Sequence, residues 1–191
     1  MKVKGWYVVG LLSFLNIFSG CGAATMNEDP KQVTHFKWYA VATAPHDYPM
    51  EIISGTFFYK GMNAGVPIPS GGTLTTGWGN SASAYVGSDE IPPLPDRVHV
   101  KFYSYAENKV YEAEFVLPYE TILAKFQQQL KDSPDKRNYS SFLIGIAPGG
   151  AISVWMKGPR TTEIYFGQAK KIEVTPSEAF EPQECQYKAL L

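Results

Sequence analysis

Residues 97–116 read RVHVKFYSYAENKVYEAEFV, and this stretch decides the fold. Val98, Val100 and Phe102 alternate with His99, Lys101 and Tyr103, the period of two expected of a strand with one face in the core. A polar break follows at Glu107, Asn108 and Lys109, and then Tyr111, Ala113 and Phe115 oppose Glu112 and Glu114. Two alternating runs joined by a short polar turn predict an antiparallel hairpin. Its apolar face needs a second layer to cover it.

The flanking sequence supplies that layer. Aromatic and β-branched runs at Phe36–Thr43 and Glu51–Lys60 predict two strands before the hairpin. Apolar runs at Ser141–Ala147 and Ala151–Lys157, separated by Pro148, Gly149 and Gly150, predict a second hairpin. Thr161–Phe166 and Lys170–Val174 add two further strands. One helix is expected, opening at Pro118, carrying Ile122, Phe126 and Leu130 at four-residue spacing and ending before Pro134, with Gln127–Gln129 toward solvent. Eight strands and one helix give an α+β class: a mainly antiparallel, sandwich-like β-sheet with one principal α-helix in a single domain.

The chain opens with Lys2 and Lys4, then an apolar stretch from Trp6 to Phe18. That is a secretory signal, too short for the ~20 residues that cross a bilayer and interrupted by Asn16. It ends in Phe18, Ser19, Gly20 and Cys21, where small residues before a cysteine form a lipobox. Diacylglyceryl transfer makes a thioether and therefore needs the Cys21 thiol. An ordinary signal peptide would instead leave Cys21 free to pair with Cys185, but the position of Cys21 favours lipidation with acyl chains such as palmitate. With Cys21 acylated, Cys185 has no intramolecular partner. Gly22 and Ala23, in place of an acidic residue after Cys21, direct such a lipoprotein to the outer membrane, facing the periplasm.

The expected division is a signal peptide over 1–20, a flexible tether over 21–34, an antiparallel β-rich domain over 35–182 and a C-terminal tail over 183–191. The full chain balances 17 basic against 18 acidic residues; loss of Lys2 and Lys4 with the signal leaves 15 against 18, a net charge of −3. No basic excess remains to track a phosphate backbone, so nucleic acid is not an expected partner. A hydrophobic fraction of 45%, with 14% aromatic residues, rules out a disordered chain.

Chemistry is sparse. His35, His46 and His99 do not stand at metal-ligand spacing from one another or from a cysteine, and His99 falls on the polar face of a strand. There is no G-x-S-x-G elbow and no phosphate loop. Glu112 and Glu114 share a strand face, as two catalytic carboxylates would, but residues so placed are ordinarily solvated. Catalytic, cofactor-binding and metal-binding residues are therefore all expected to be none, and the chain is expected not to be an enzyme. The segment Ser70–Asn80, SGGTLTTGWGN, is expected to serve structure, with Trp78 as a core or bulge anchor; lining a ligand pocket is the alternative. Trp155 is expected in the core opposite Phe142–Ile146. Tyr48, Tyr103 and Tyr105 are candidate exposed aromatics for a partner surface, though ordinary sheet or loop residues are the favoured reading.

The lipobox, Trp38–Val41, Gly77-Trp78-Gly79, Ser104–Tyr111 and Gly145-Ile146-Ala147-Pro148-Gly149-Gly150 followed by Val154-Trp155 together resemble Gram-negative lipoproteins of the domain of unknown function 2931 family. The resemblance runs over nearly the whole mature chain. Its motifs are glycines and tryptophans, which specify a fold rather than a reaction, and it carries over no catalytic residue. It implies an immunity role by association, since similar lipoproteins are encoded beside type VI secretion lipase effectors. The expected partners are thus a membrane, through lipid on Cys21, and a secreted effector protein; an envelope small-ligand module or a periplasmic enzyme is the alternative.

Overall fold

A computed structural model describes residues 31–80, 91–132, 139–158 and 160–174. Cys21, Cys185, the signal, most of the tether and the tail lie outside the described residues.

Among the described residues ten strands form two sheets. The hairpin read from residues 97–116 is present as β5 (Pro95–Ser104) and β6 (Lys109–Val116), in register from Arg97 opposite Val116 to Ser104 opposite Lys109. It lies in a six-stranded sheet of order β10-β6-β5-β2-β3, where β2 is Met50–Tyr59, β3 Gly65–Pro67 and β10 Lys170–Ile172, and β4 (Thr73–Leu74) also pairs with β2. The four-stranded sheet has the order β1-β7-β8-β9, from β1 (Tyr39–Thr43), β7 (Ser141–Ala147), β8 (Ala151–Lys157) and β9 (Thr162–Gln168). β1 runs parallel to β7; every other pairing is antiparallel. The α+β reading, mainly antiparallel in one domain, therefore stands.

β3 and β4 went unread because strands of three and two residues are too short to show alternation. β1 starts at Tyr39 rather than Phe36, because the Phe36 amide and the Trp38 indole donate instead to the carbonyls of Pro92 and Pro93.

Between the sheets sits one apolar core. Trp38 meets Phe57 and Phe142 at centroid distances of 6.1 and 5.0 Å, and Phe115 of the larger sheet stacks on Tyr165 of the smaller at 3.8 Å. α1 (Tyr119–Asp132) buries Ile122 and Phe126, and Phe126 packs on Phe36, Tyr139 and Phe142. The Pro118 carbonyl accepts from the Ile122 amide, so the proline stands at the helix start as its missing N–H allows. The glutamine run departs from expectation. Gln127 donates to the carbonyls of Lys31 and Val33, and Gln129 accepts from the Tyr139 amide, so both are half-buried clamps and Gln128 alone faces solvent. An amide side chain mimics a peptide group, and here it satisfies backbone that no ladder reaches.

β9 and β10 are one run of chain that changes sheet at Ala169, whose amide donates to the Gly150 carbonyl at 2.7 Å. Turning a corner in this way is a common route for a strand serving two packed sheets.

Candidate functional site

β7 and β8 have the same burial along their length: five consecutive buried residues in each. A strand buried on both faces reads as a continuous apolar run rather than an alternating one. The inner face carries Phe142, Ile144, Ile146, Ile152, Val154 and Met156 into the core. Val41, Leu143 and Trp155 form a separate buried cluster on the outer face. Trp155 is thus buried as expected, but outside the sandwich, opposite Leu143.

What covers that outer face is the Gly-rich segment. Thr43 donates through Oγ1 to the Gly77 carbonyl at 2.6 Å, the Gly77 amide donates to the Ala44 carbonyl at 2.9 Å, and Lys157 Nζ reaches the Gly79 carbonyl at 3.1 Å. These bonds strap residues 76–80 from β1 across to β8. Gly77 and Gly79 take φ of 95° and 75°, open to glycine at no steric cost, and this turns Trp78 edge-on to Trp155 at 5.2 Å. Both indoles lie over Gly145. A Cβ there would stand 2.6 Å from Trp155 and 3.1 Å from Trp78. Trp78 is not a core anchor: it is 40% exposed, a partly wet cover on the sheet.

One row across this face runs Thr43, Gly145, Ser153 and Phe166. Phe166 is 70% exposed, among the most exposed of the large apolar side chains described. Ser153 beside it is fully buried and donates to Glu163 and to the Tyr165 carbonyl, so its hydroxyl is engaged. The face is an aromatic patch of Trp78, the edge of Trp155 and Phe166, with Glu163 and Lys157 among its polar neighbours.

The other glycines of the motif are used at the end of the sandwich where β7 turns into β8. Gly149 and Gly150 both have positive φ, and a Cβ on Gly150 would stand 2.7 Å from the Ala169 carbonyl oxygen and 2.9 Å from the Tyr111 ring. The Gly149 amide donates to Glu107 at 2.8 Å, and the Tyr111 hydroxyl donates to the same carboxylate at 3.0 Å. Burial alone would push the Glu107 carboxyl up; the bonds from Gly149 and Tyr111, with Ser104 and Lys109 nearby, outweigh it and hold the group below its ordinary value. Glu107, read in the sequence as a turn residue, ties the first hairpin to the turn of the second. Its contact is 42 residues away along the chain, which no local pattern signals.

The remaining candidates are dispersed. Glu112 pairs with His99 at 2.7 Å and Glu114 with Arg97 at 2.5 Å, so the two carboxylates are partners of a charge ladder on the outer face of β5 and β6. His35 contacts Thr34 and His46 contacts Asp47. Tyr48 is 51% exposed as expected, but Tyr103 is buried, edge-on to Tyr105 and donating to Asn108. Tyr105 donates to the buried Glu51, and burial together with that bond pushes its phenol up to about 12. Among the described residues no group of three or more His, Cys, Asp or Glu is placed to hold a metal. Open concavities of about 440 Å³ beside His99, Glu112 and Lys170, and about 370 Å³ beside Tyr103 and Lys171, lie on the six-stranded sheet, away from Ser70–Asn80.

Comparison with known families places these motif residues in context. A family model described as "Protein of unknown function (DUF2931)" matches residues 24–189, and the chain belongs to that family. No curated protein and no solved structure matches the chain.

Proposed function

From this membership and the geometry of the outer face, we propose that the protein is an envelope lipoprotein, anchored to the outer membrane by lipid on Cys21 and facing the periplasm. Its domain is a non-enzymatic binding module that neutralises a secreted lipase effector. The observation that carries the binding role is the outer face of the four-stranded sheet, where Trp78 and Phe166 are 40% and 70% exposed over a strapped segment. Aromatic side chains bring large contact area at low conformational cost and dominate interface energetics. Residues 76–80 of the Gly-rich segment that could have lined a ligand pocket are instead laid down on the sheet by hydrogen bonds to three residues, Thr43, Ala44 and Lys157, which favours a partner surface over a small-molecule site.

The test first identifies a secreted lipase effector from the gene's neighbourhood, then mixes it with the purified mature domain and follows fatty-acid release. Loss of activity near one-to-one stoichiometry is expected, with no hydrolysis of phospholipid, glycoside or peptide by the domain alone. Unchanged lipase activity at saturating domain would overturn the immunity role, and turnover by the domain alone would overturn the non-enzymatic one.

A further inference from the structure

One end of the sandwich gathers basic side chains from five separate places in the chain. Lys31 is held there by its carbonyl, which accepts from Gln127, and Lys131 lies one helical turn further along α1. Gln129, between them, accepts from the Tyr139 amide, and the Tyr139 hydroxyl meets Thr162 at 3.0 Å, which brings the helix end to the β8–β9 turn carrying Arg160. Gly158 of that turn sits so close that a Cβ would stand 2.8 Å from the Tyr139 Cα. Lys157 pairs across the sheet with Ser141, which pairs with Tyr39, and the Lys37 ammonium lies 6.0 Å from the Tyr39 ring. Lys31, Lys37, Lys131 and Arg160 are exposed and Lys157 half-exposed. Glu163, the neighbouring acid on β9, already accepts from Ser153; Glu28 and Asp29 precede the cluster in the tether sequence.

This is also the end at which the tether enters, since Lys31 begins the described chain. A cationic surface on a mature chain of net charge −3 is placed where a lipid on Cys21 would hold it, against headgroups. We propose that Lys37, Lys131 and Arg160 form the core of a docking surface for the anionic phospholipid headgroups of the bilayer. The surface supplements the acyl anchor and orients the domain with its helix end toward the membrane. Basic residues near an anionic bilayer act additively and through space, without a built pocket. A lipid chain and a basic patch together form the two-signal arrangement that holds a peripheral protein firmly. The inference rests on the anchor reading for its biological setting, but its test does not.

The test uses residues 21–191 with Cys21→Ser, which keeps every described element and carries no lipid. Co-sedimentation is measured with vesicles of phosphatidylcholine alone and with about one part in four phosphatidylglycerol. Binding to the anionic vesicles is expected, reversed by salt as surface charges are screened. Each neutralised cation should weaken it roughly fivefold, so the triple variant Lys37→Gln, Lys131→Gln and Arg160→Gln should lose roughly a hundredfold. A control triple elsewhere, Lys101→Gln, Lys109→Gln and Lys170→Gln, should change binding far less, and circular dichroism verifies that both triples are folded. Equal binding to both vesicle types, no binding at low salt, or equal losses in the two triples would overturn the proposal. Failure of the anchor reading would show separately, as absence of acyl mass on the Cys21 peptide of the membrane-purified protein.

Discussion

Gly145→Ala is the smallest change that tests whether the strapped outer face is packed as described. Gly145 sits in the middle of β7 at ordinary extended geometry, so the added methyl meets no backbone strain. It meets the two indoles, at 2.6 and 2.8 Å from Trp155 and 3.1 Å from Trp78. Contacts under 3 Å cannot persist, and Trp155 is pinned against Leu143 and Val41, so the rings and the strap must shift. Overpacking of this kind costs about 1–3 kcal/mol, offset by about 0.4–1 kcal/mol because alanine narrows the unfolded ensemble. The net expectation is a loss of about 1–2 kcal/mol in urea melts followed by tryptophan fluorescence. Trp155→Phe removes the two ring atoms nearest Gly145, so in that background Gly145→Ala should cost less than it does alone. A double-mutant cycle reads this difference directly. A neutral or stabilising Gly145→Ala, or strict additivity with Trp155→Phe, would refute the packing argument.

Cys21→Ala should move the protein from the membrane to the soluble fraction with its circular dichroism unchanged; retention in the membrane fraction would contradict lipid anchoring at that residue. Glu107→Gln should cost about 1 kcal/mol near neutral pH, because hydrogen bonds to a charged acceptor are replaced by neutral ones. The folded-state value of this carboxyl lies below its ordinary 4.5, so its contribution is full above about pH 4.5 and fades as pH falls through the lowered value. Melts of wild type and variant should therefore converge in acid, and a gap that persists at pH 2 would show that the loss is not electrostatic. Phe166→Asp should leave stability within about 0.5 kcal/mol, as an exposed substitution does, yet weaken effector binding by roughly thirtyfold if the aromatic face is the interface. Unchanged affinity in a titration would move the interface elsewhere.

The fold was legible where one face of a strand is wet. Residues 97–116 alternate because His99 pairs with Glu112 and Arg97 with Glu114 on the outer face while Val98, Val100, Phe102 and Phe115 are buried. Alternation fails in β7 and β8, and the run of buried residues there indicated strands without indicating what covers their second face. That cover comes from residues 76–80, more than sixty positions before β7, held by backbone carbonyls that carry no residue-type signature. Trp78 was misplaced for the same reason: between two glycines, a tryptophan in the core and one lying on a sheet have the same sequence. The glutamine clamps were hidden because Gln127 and Gln129 are ordinary solvent-side residues of a helix by type, and become clamps only through the loop ends they meet. The lipid anchor proposed at Cys21 rests on local sequence alone, and Cys21 lies outside the described residues.

The family's glycines and tryptophans are each consumed by packing in this chain. Gly145 admits two indoles, Gly149 and Gly150 turn β7 into β8 beside Tyr111 and Ala169, Gly77 and Gly79 present Trp78, and Trp155 fills the outer face. Residues committed in this way can change little without loss of the fold, and they are poorly suited to set which partner is bound. On the proposed binding role, specificity falls to side chains whose replacement leaves the core intact, such as the 70% exposed Phe166 on β9. β9 is an edge strand of its sheet among the described residues, with solvent on the outer side of Phe166 and Gln168, so these two side chains can be replaced without disturbing β7 and β8. A double-sheet scaffold whose edge side chains can be replaced without loss of the core suits the proposed binding role, in which one architecture would serve different partners.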